Sequence, residues 1–200
     1  MTQGAPGGVQ ILGVEQLRQA EHAKYSKAYA IESYRMGGLR HYDAVRNLAD
    51  LPCRGSYLDV GCGRGEMLGE ARKLGFAPVL GVEVCRELVR PPAVLFAEGH
   101  ALPFNDKAFD VVTLFDVIEH VLPGDDELIV RELVRVARQH ILITANNHES
   151  KLPDGTELHI NRRPYTEWHR LLAEWFTPGV VSIAPCEITY ERSPMWRVDL

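Results

Sequence analysis

Residues 57–68 read YLDVGCGRGEML, and the character of the chain changes halfway through them. Tyr57, Leu58 and Val60 form a short apolar run of the kind that makes a strand buried on both faces of a parallel sheet. Gly61, Gly63 and Gly65 end that strand. With no Cβ in the way and positive φ permitted, the backbone there can lie against a ligand before Glu66, Met67 and Leu68 open a helix.

The spacing is G-x-G-x-G, one residue shorter than the G-x-G-x-x-G fingerprint that seats a pyrophosphate on a helix N-terminus. Asp59, two residues before the first glycine, would repel phosphate and attract a cationic or amine-bearing group. That combination favours an aminoacyl nucleoside over a dinucleotide, and S-adenosylmethionine fits the description.

Downstream, Glu66 to Leu74 reads as an amphipathic helix closed by Gly75, and Val79 to Val84 as the next buried strand, which completes a β-α-β unit. Glu83 ends that strand about 20 residues past the glycines, where doubly wound nucleotide sites place an acid on the ribose hydroxyls. Val94 to Ala97, Phe109 to Phe115 and His140 to Ala145 read as further strands, with a helix from Asp126 to Val136 before the last of them. Strands alternating with helices imply a parallel sheet covered on both faces. Asn146 to Pro164 is rich in turn formers. Thr166 reads as the N-cap of a helix over Glu167 to Phe176, and strands near Val180 to Ala184 and Met195 to Leu200 would finish the sheet.

Upstream, Met1 to Gly8 reads as a loose tail and Val14 to Asp50 as a helical extension broken at Gly37-Gly38. Residues 1–50 are therefore expected to form a tail and extension, and residues 51–200 a single ligand-binding domain. Tyr25, Tyr29, Tyr34 and Tyr42, with Arg35, Arg40 and His41, are candidates for a lid over the ligand or for packing against the sheet edge.

The 200 residues carry 46% hydrophobic content, enough for one well-buried domain, and a formal net charge of -5 without a Lys/Arg-rich run. Nothing in that balance points to nucleic acid. Cys53, Cys62, Cys85 and Cys186 are too far apart for a C-x-x-C metal knuckle and too few for a disulfide framework, so reduced thiols are expected. No signal segment and no apolar run near 18 residues is present, which makes a soluble cytoplasmic protein the expectation.

Together these blocks resemble the class I S-adenosylmethionine-dependent methyltransferases, in particular the small-molecule branch similar to quinone-biosynthesis methyltransferases (type 11). YLDVGCGRGEML resembles that family's first motif and GVEV (81–84) its second-strand acid motif. ALPFNDKAFDVVTLFDVIEHV (101–121) resembles its central signature, and RELVRVARQHILITANN (131–147) its fifth-strand block. The resemblance spans residues 55 to 185. It implies an α/β fold, a Rossmann-like three-layer sandwich on a seven-stranded, mostly parallel sheet in the order 3-2-1-4-5-7-6 with strand 7 antiparallel. Ligands would bind at the carboxyl ends of the strands.

The same resemblance puts Asp59, Gly61 and Gly63 around the methionine part of the cofactor and Glu83 on the ribose, with Cys62 and Val84 as further cofactor-binding candidates. Gly99, His100 and Ala101 align with the adenine-contacting loop, where His100 stands in place of the usual aspartate; a neutral imidazole nitrogen can accept the same bond. Asp116 would end strand four near the sulfonium. His120 and His159 are the candidates for orienting or deprotonating an acceptor, and Arg162, Arg163 and Tyr165 for holding it. A Pro-Asn pair common in the family after strand five is Asn146-Asn147 here. The implied product is S-adenosyl-L-homocysteine, no metal is implied, and the acceptor is expected to be a small molecule.

A sulfonium methyl is already activated, so an enzyme of this kind works chiefly by holding an acceptor atom (O, N or C) in line with the leaving sulfur. The lack of an [N/D]-P-P-[Y/F] run argues against amino methylation of a flipped DNA base. The other reading is a non-catalytic S-adenosylmethionine-binding regulatory or assembly protein, since both need the same cofactor residues. A nicotinamide-dependent oxidoreductase disagrees with the glycine spacing and with Asp59.

Overall fold

The computed structural model describes residues 13–32, 34, 38–177, 179–184 and 194–200. Its elements run α1 (Val14–Tyr29), α2 (Gly38–Ala49), β1 (Tyr57–Val60), α3 (Glu66–Lys73), β2 (Val79–Glu83), β3 (Val94–Phe96), β4 (Phe109–Phe115), α4 (Asp125–Val136), β5 (Ala137–Thr144), α5 (Tyr165–Trp175), β6 (Val180–Ala184) and β7 (Met195–Asp199). Of the residues singled out above, Met1 to Gly8, Arg35, Gly37 and Cys186 lie outside the described set, and Cys53, Cys62 and Cys85 are free thiols. Among the described residues no helix is long and apolar enough to cross a membrane.

The seven strands form one sheet in the order β3-β2-β1-β4-β5-β7-β6. β1 to β5 pair in parallel, whereas β7 lies antiparallel between β5 and β6. The expected order and the reversed last strand are both present. In β1 the two-residue period sends Leu58 and Val60 to one face, where they join Val112, Leu114 and Ile143 against α4 and the Trp168 edge of α5. Tyr57 goes to the other face, packing with Val111 and Leu142 against Met67, Leu68 and Ala71 of α3 and Leu48 of α2. Each face thus has its own apolar layer.

Two boundaries differ from the sequence reading for identifiable reasons. The last helix begins at Tyr165, not after Thr166, because the Pro164 carbonyl already accepts the amides of Glu167 and Trp168 at 2.9 and 3.0 Å. Thr166 is therefore inside the first turn and caps nothing. β5 begins at Ala137, three residues ahead of His140, since α4 runs straight into the sheet and Ala137 pairs with Phe109 across a β-bulge.

Candidate active site

The carboxyl ends of β1, β2 and β4 open into a cavity of about 340 Å³, walled on its far side by α1. The chain leaves β1 at Gly61, whose amide bonds the Val82 carbonyl of β2 at 2.9 Å. Gly61 and Gly63 have φ of +71° and +54°. A Cβ on Gly61 would sit 2.5 Å from Val117 Cγ2, and one on Gly63 would sit 2.7 Å from the Tyr29 hydroxyl. Only glycine leaves this cradle open.

Glu83 ties the glycine loop to β2. Its Oε2 accepts the Gly63 amide at 2.8 Å, and its Oε1 accepts the amides of Val84 and Cys85, both at 2.9 Å. Burial raises its carboxyl above the usual range, and the three amides oppose that rise. Asp59 is 4% exposed and accepts the Thr113 hydroxyl at 2.7 Å, and that hydroxyl also meets the Tyr57 hydroxyl at 2.7 Å. Burial pushes the Asp59 carboxyl up to about 7, against the Thr113 bond. A cationic group arriving in the cavity would return that proton to solvent.

Cys62, Val84, Gly99 and His100 also line the cavity. Burial pushes the Cys62 thiol up, away from thiolate chemistry. His100 Nε2 lies 3.4 Å from Glu98 Oε2, a buried oxygen without a hydrogen-bond partner that faces the same cavity. Sequence reading singled out His100 and passed over this acid two positions before it. Ala101 is exposed and off the cavity wall, its amide spent on the Glu98 carbonyl at 3.0 Å.

At the other end, Asp116 terminates β4 with φ +54°, its amide on the Thr144 hydroxyl at 2.9 Å. Arg40 grips it through Nε and Nη2, and Nη2 also reaches the Ala145 carbonyl at 3.1 Å. A single 3₁₀ turn over Ile118–His120 follows, setting Glu119 into the interior and His120 at the cavity. His159 comes in from the loop after β5, and the two imidazoles meet edge to face with centroids 4.6 Å apart. His120 Nδ1 lies 3.0 Å from the Leu158 carbonyl and His159 Nδ1 2.6 Å from the His148 carbonyl. A carbonyl only accepts, so each Nδ1 carries the proton and each Nε2 is left with its lone pair. Burial drives His120 down to about 4, helped by its neighbour His159, and lowers His159 as well.

The expected acceptor-holding residues are elsewhere. Arg162 is exposed, and Arg163 bonds Asp126 Oδ2 at 2.7 Å while its guanidinium lies 5.0 Å over the Trp168 ring. Tyr165 starts α5 and packs against the core. None of the three is on the cavity wall.

The N-terminal helix supplies what they do not. Arg18, His22, Tyr25 and Tyr29 of α1, with Tyr34 beyond it, line the cavity, whereas Tyr42 is 54% exposed and off the wall. α1 is moored by side chains: Arg18 reaches Asp125 with Nε at 2.8 Å and Nη2 at 2.5 Å, Lys24 the Glu157 carbonyl at 3.2 Å, and Arg64 the Tyr29 carbonyl at 2.7 Å. The Tyr25 edge meets His120 at 5.5 Å.

Residues 58–143 match the family model described as "Methyltransferase domain". No match is found among curated proteins. Of solved structures, the chain is similar to 1,6-didemethyltoxoflavin-N1-methyltransferase of Burkholderia thailandensis, determined with 1,6-didemethyltoxoflavin and S-adenosylhomocysteine, at 14% identity and TM-score 0.70 over 98% of this chain and 93% of that one. It is also similar to magnesium protoporphyrin IX methyltransferase of Synechocystis PCC 6803, determined with S-adenosylhomocysteine, at 12% identity and TM-score 0.59 over 92% and 98%. With the domain match over residues 58–143 and this sheet order, the chain has the fold of the class I S-adenosylmethionine-dependent methyltransferases.

Proposed function

We propose that the protein transfers the methyl group of S-adenosylmethionine to an O, N or C atom of a small-molecule acceptor. The observation that carries this reading is the cavity itself, which joins a glycine cradle flanked by Asp59 and Glu83 to a second end walled by Asp116, His120 and His159. The residues present fit the cofactor. Gly61 and Gly63 leave room that a Cβ would fill, and Glu98 Oε2 is an unpartnered acceptor suited to an adenine amine beside His100. Asp59 suits the amino group, and Glu83, its amides already satisfied, has lone pairs left for ribose hydroxyls.

When bound, the cofactor supplies an activated sulfonium methyl. The chain's own part is to position and to exclude water: α1 covers the cavity, and Arg40 holds Asp116 fixed at the end of β4. At about 4, His120 is a weak proton acceptor near neutral pH, so it orients more readily than it deprotonates. The two Burkholderia and Synechocystis relatives, both methyltransferases determined with S-adenosylhomocysteine, support the cofactor assignment. A non-catalytic binding role is less favoured, because such a protein needs only the glycine end of the cavity.

Calorimetric titration with S-adenosylhomocysteine and with NADH tests the cofactor. Binding of the first alone is expected, and NADH binding without any heat from S-adenosylhomocysteine would sink the assignment. Transfer of labelled methyl from the cofactor into a small-molecule extract separates an enzyme from a binding protein.

A further inference from the structure

Glu119, His120 and His159 come from a 3₁₀ turn and a loop 39 residues further on, yet one donor atom of each lies within 4.8 Å of the others. From this we infer that the three side chains form a binding site for a divalent first-row transition ion, facing the acceptor end of the cavity.

The donor set is two imidazoles and a carboxylate, which leaves coordination positions open. Both rings have their Nδ1 protons committed to backbone carbonyls, those of Leu158 and His148. That is the arrangement that fixes a ligating histidine's tautomer and aims Nε2 at an ion. Glu119 is 0% exposed; its Oε1 takes the Asn146 amide at 3.0 Å, while Oε2 is buried with no partner. A cation held between the carboxylate and the two imidazole nitrogens would give Oε2 its partner.

Charge points the same way. Asp116 and Glu119 repel one another across this corner, and Arg40, which grips Asp116, offsets only part of that repulsion. Metal bonds of ~2.0–2.2 Å require the donors to close in from their present separation by small side-chain rotations. His120 and His159 line the cavity, so the remaining positions of the ion open into it. The sequence reading implied no metal, because nothing in the spacing from 119 to 159 announces a ligand set.

The test uses the full chain without a histidine tag and Co²⁺ as the probe, followed by its visible d–d absorption and by equilibrium dialysis. Stoichiometric binding with bands bleached by Zn²⁺ is expected, weakened at least about tenfold in His159→Gln. Glu119→Gln, with the same shape and no charge, should weaken it likewise, and thermal melts of both variants show whether they fold. Failure of the parent protein to bind Co²⁺, or equal affinity in the two folded variants, overturns the site. Because S-adenosylhomocysteine affinity is measured on the same samples, the two readings fail separately. Cofactor binding without Co²⁺ binding removes only the metal site, and the reverse removes only the methyltransferase reading.

Discussion

Asp59 and Glu83 are both buried acids at strand ends, yet they are built for different tasks. Glu83 has three amide donors and Asp59 has one hydroxyl. With its carboxyl at about 7 against an ordinary 3.8, Asp59 holds a proton in the folded chain where the unfolded chain has lost it. Its stabilising contribution is therefore full below the ordinary value and is lost as pH rises through about 7. Asp59→Asn keeps the Thr113 bond and carries no such loss. The variant should match the parent in urea melts near about pH 4 and exceed it by on the order of 1–3 kcal/mol near about pH 8. Cofactor affinity should do the opposite, rising with pH toward neutrality in the parent and staying low and flat in the variant; parallel curves would remove Asp59 from the amine contact. For Glu83, replacement by Gln puts an amide NH₂ against at least one of those backbone donors. A stability loss of about 1–3 kcal/mol is expected together with weaker cofactor binding, and unchanged affinity in calorimetry would return Glu83 to a purely structural role.

At the scale of elements, α1 is the least anchored part of the site. It pairs with no strand and is moored by side-chain bonds, chiefly Arg18 to Asp125 and Arg64 to the Tyr29 carbonyl, while its inner face lines the cavity. Amides of α1 should exchange with deuterium well before those of β1, β4 and β5, and slow markedly when S-adenosylhomocysteine is added. If α1 exchanged as slowly as the sheet without ligand, it would be a fixed wall and not a cover. The strand-helix alternation was legible in the chain because period-2 apolar runs and glycine breaks are local signals, and the resemblance supplied the strand order. Tyr25 and Tyr29 were legible as candidates for a lid or for edge packing, and both line the cavity, whereas Arg18 and His22 were not singled out, because charged residues on a helix ordinarily face water. Arg162-Arg163 misled for a related reason: an adjacent pair reads as an anion clamp, but Asp126, 1% exposed on α4, claims Arg163. Glu98 escaped notice because its role depends on which way one loop turns.

Across the whole molecule, the cofactor end and the C-terminal end lie on one sheet, so stability should be shared between them. All three tryptophans, Trp168, Trp175 and Trp196, fall outside the 58–143 segment that matches the methyltransferase family. Trp168 and Trp196 are fully buried in the layer that also holds Leu58 and Val60 of β1, and β7 continues the sheet from β5. Tryptophan emission therefore reports on a region remote from the glycine loop but packed with its strand. If the domain unfolds as one unit, S-adenosylhomocysteine bound at the loop must stabilise the tryptophan region by the full linkage free energy. At a free concentration one hundred times its dissociation constant that is about 2.7 kcal/mol. The urea midpoint followed by tryptophan emission should shift by this amount divided by the slope of the transition, and far-ultraviolet circular dichroism should give the same shift. Trp168→Ala, which empties a fully buried site, should lower the stability by about 3–5 kcal/mol, moving both midpoints down together, and leave the ligand-induced increment unchanged. A tryptophan transition that ignores the ligand while the helical signal responds would show instead that the α5–β6–β7 region unfolds independently of the cofactor half.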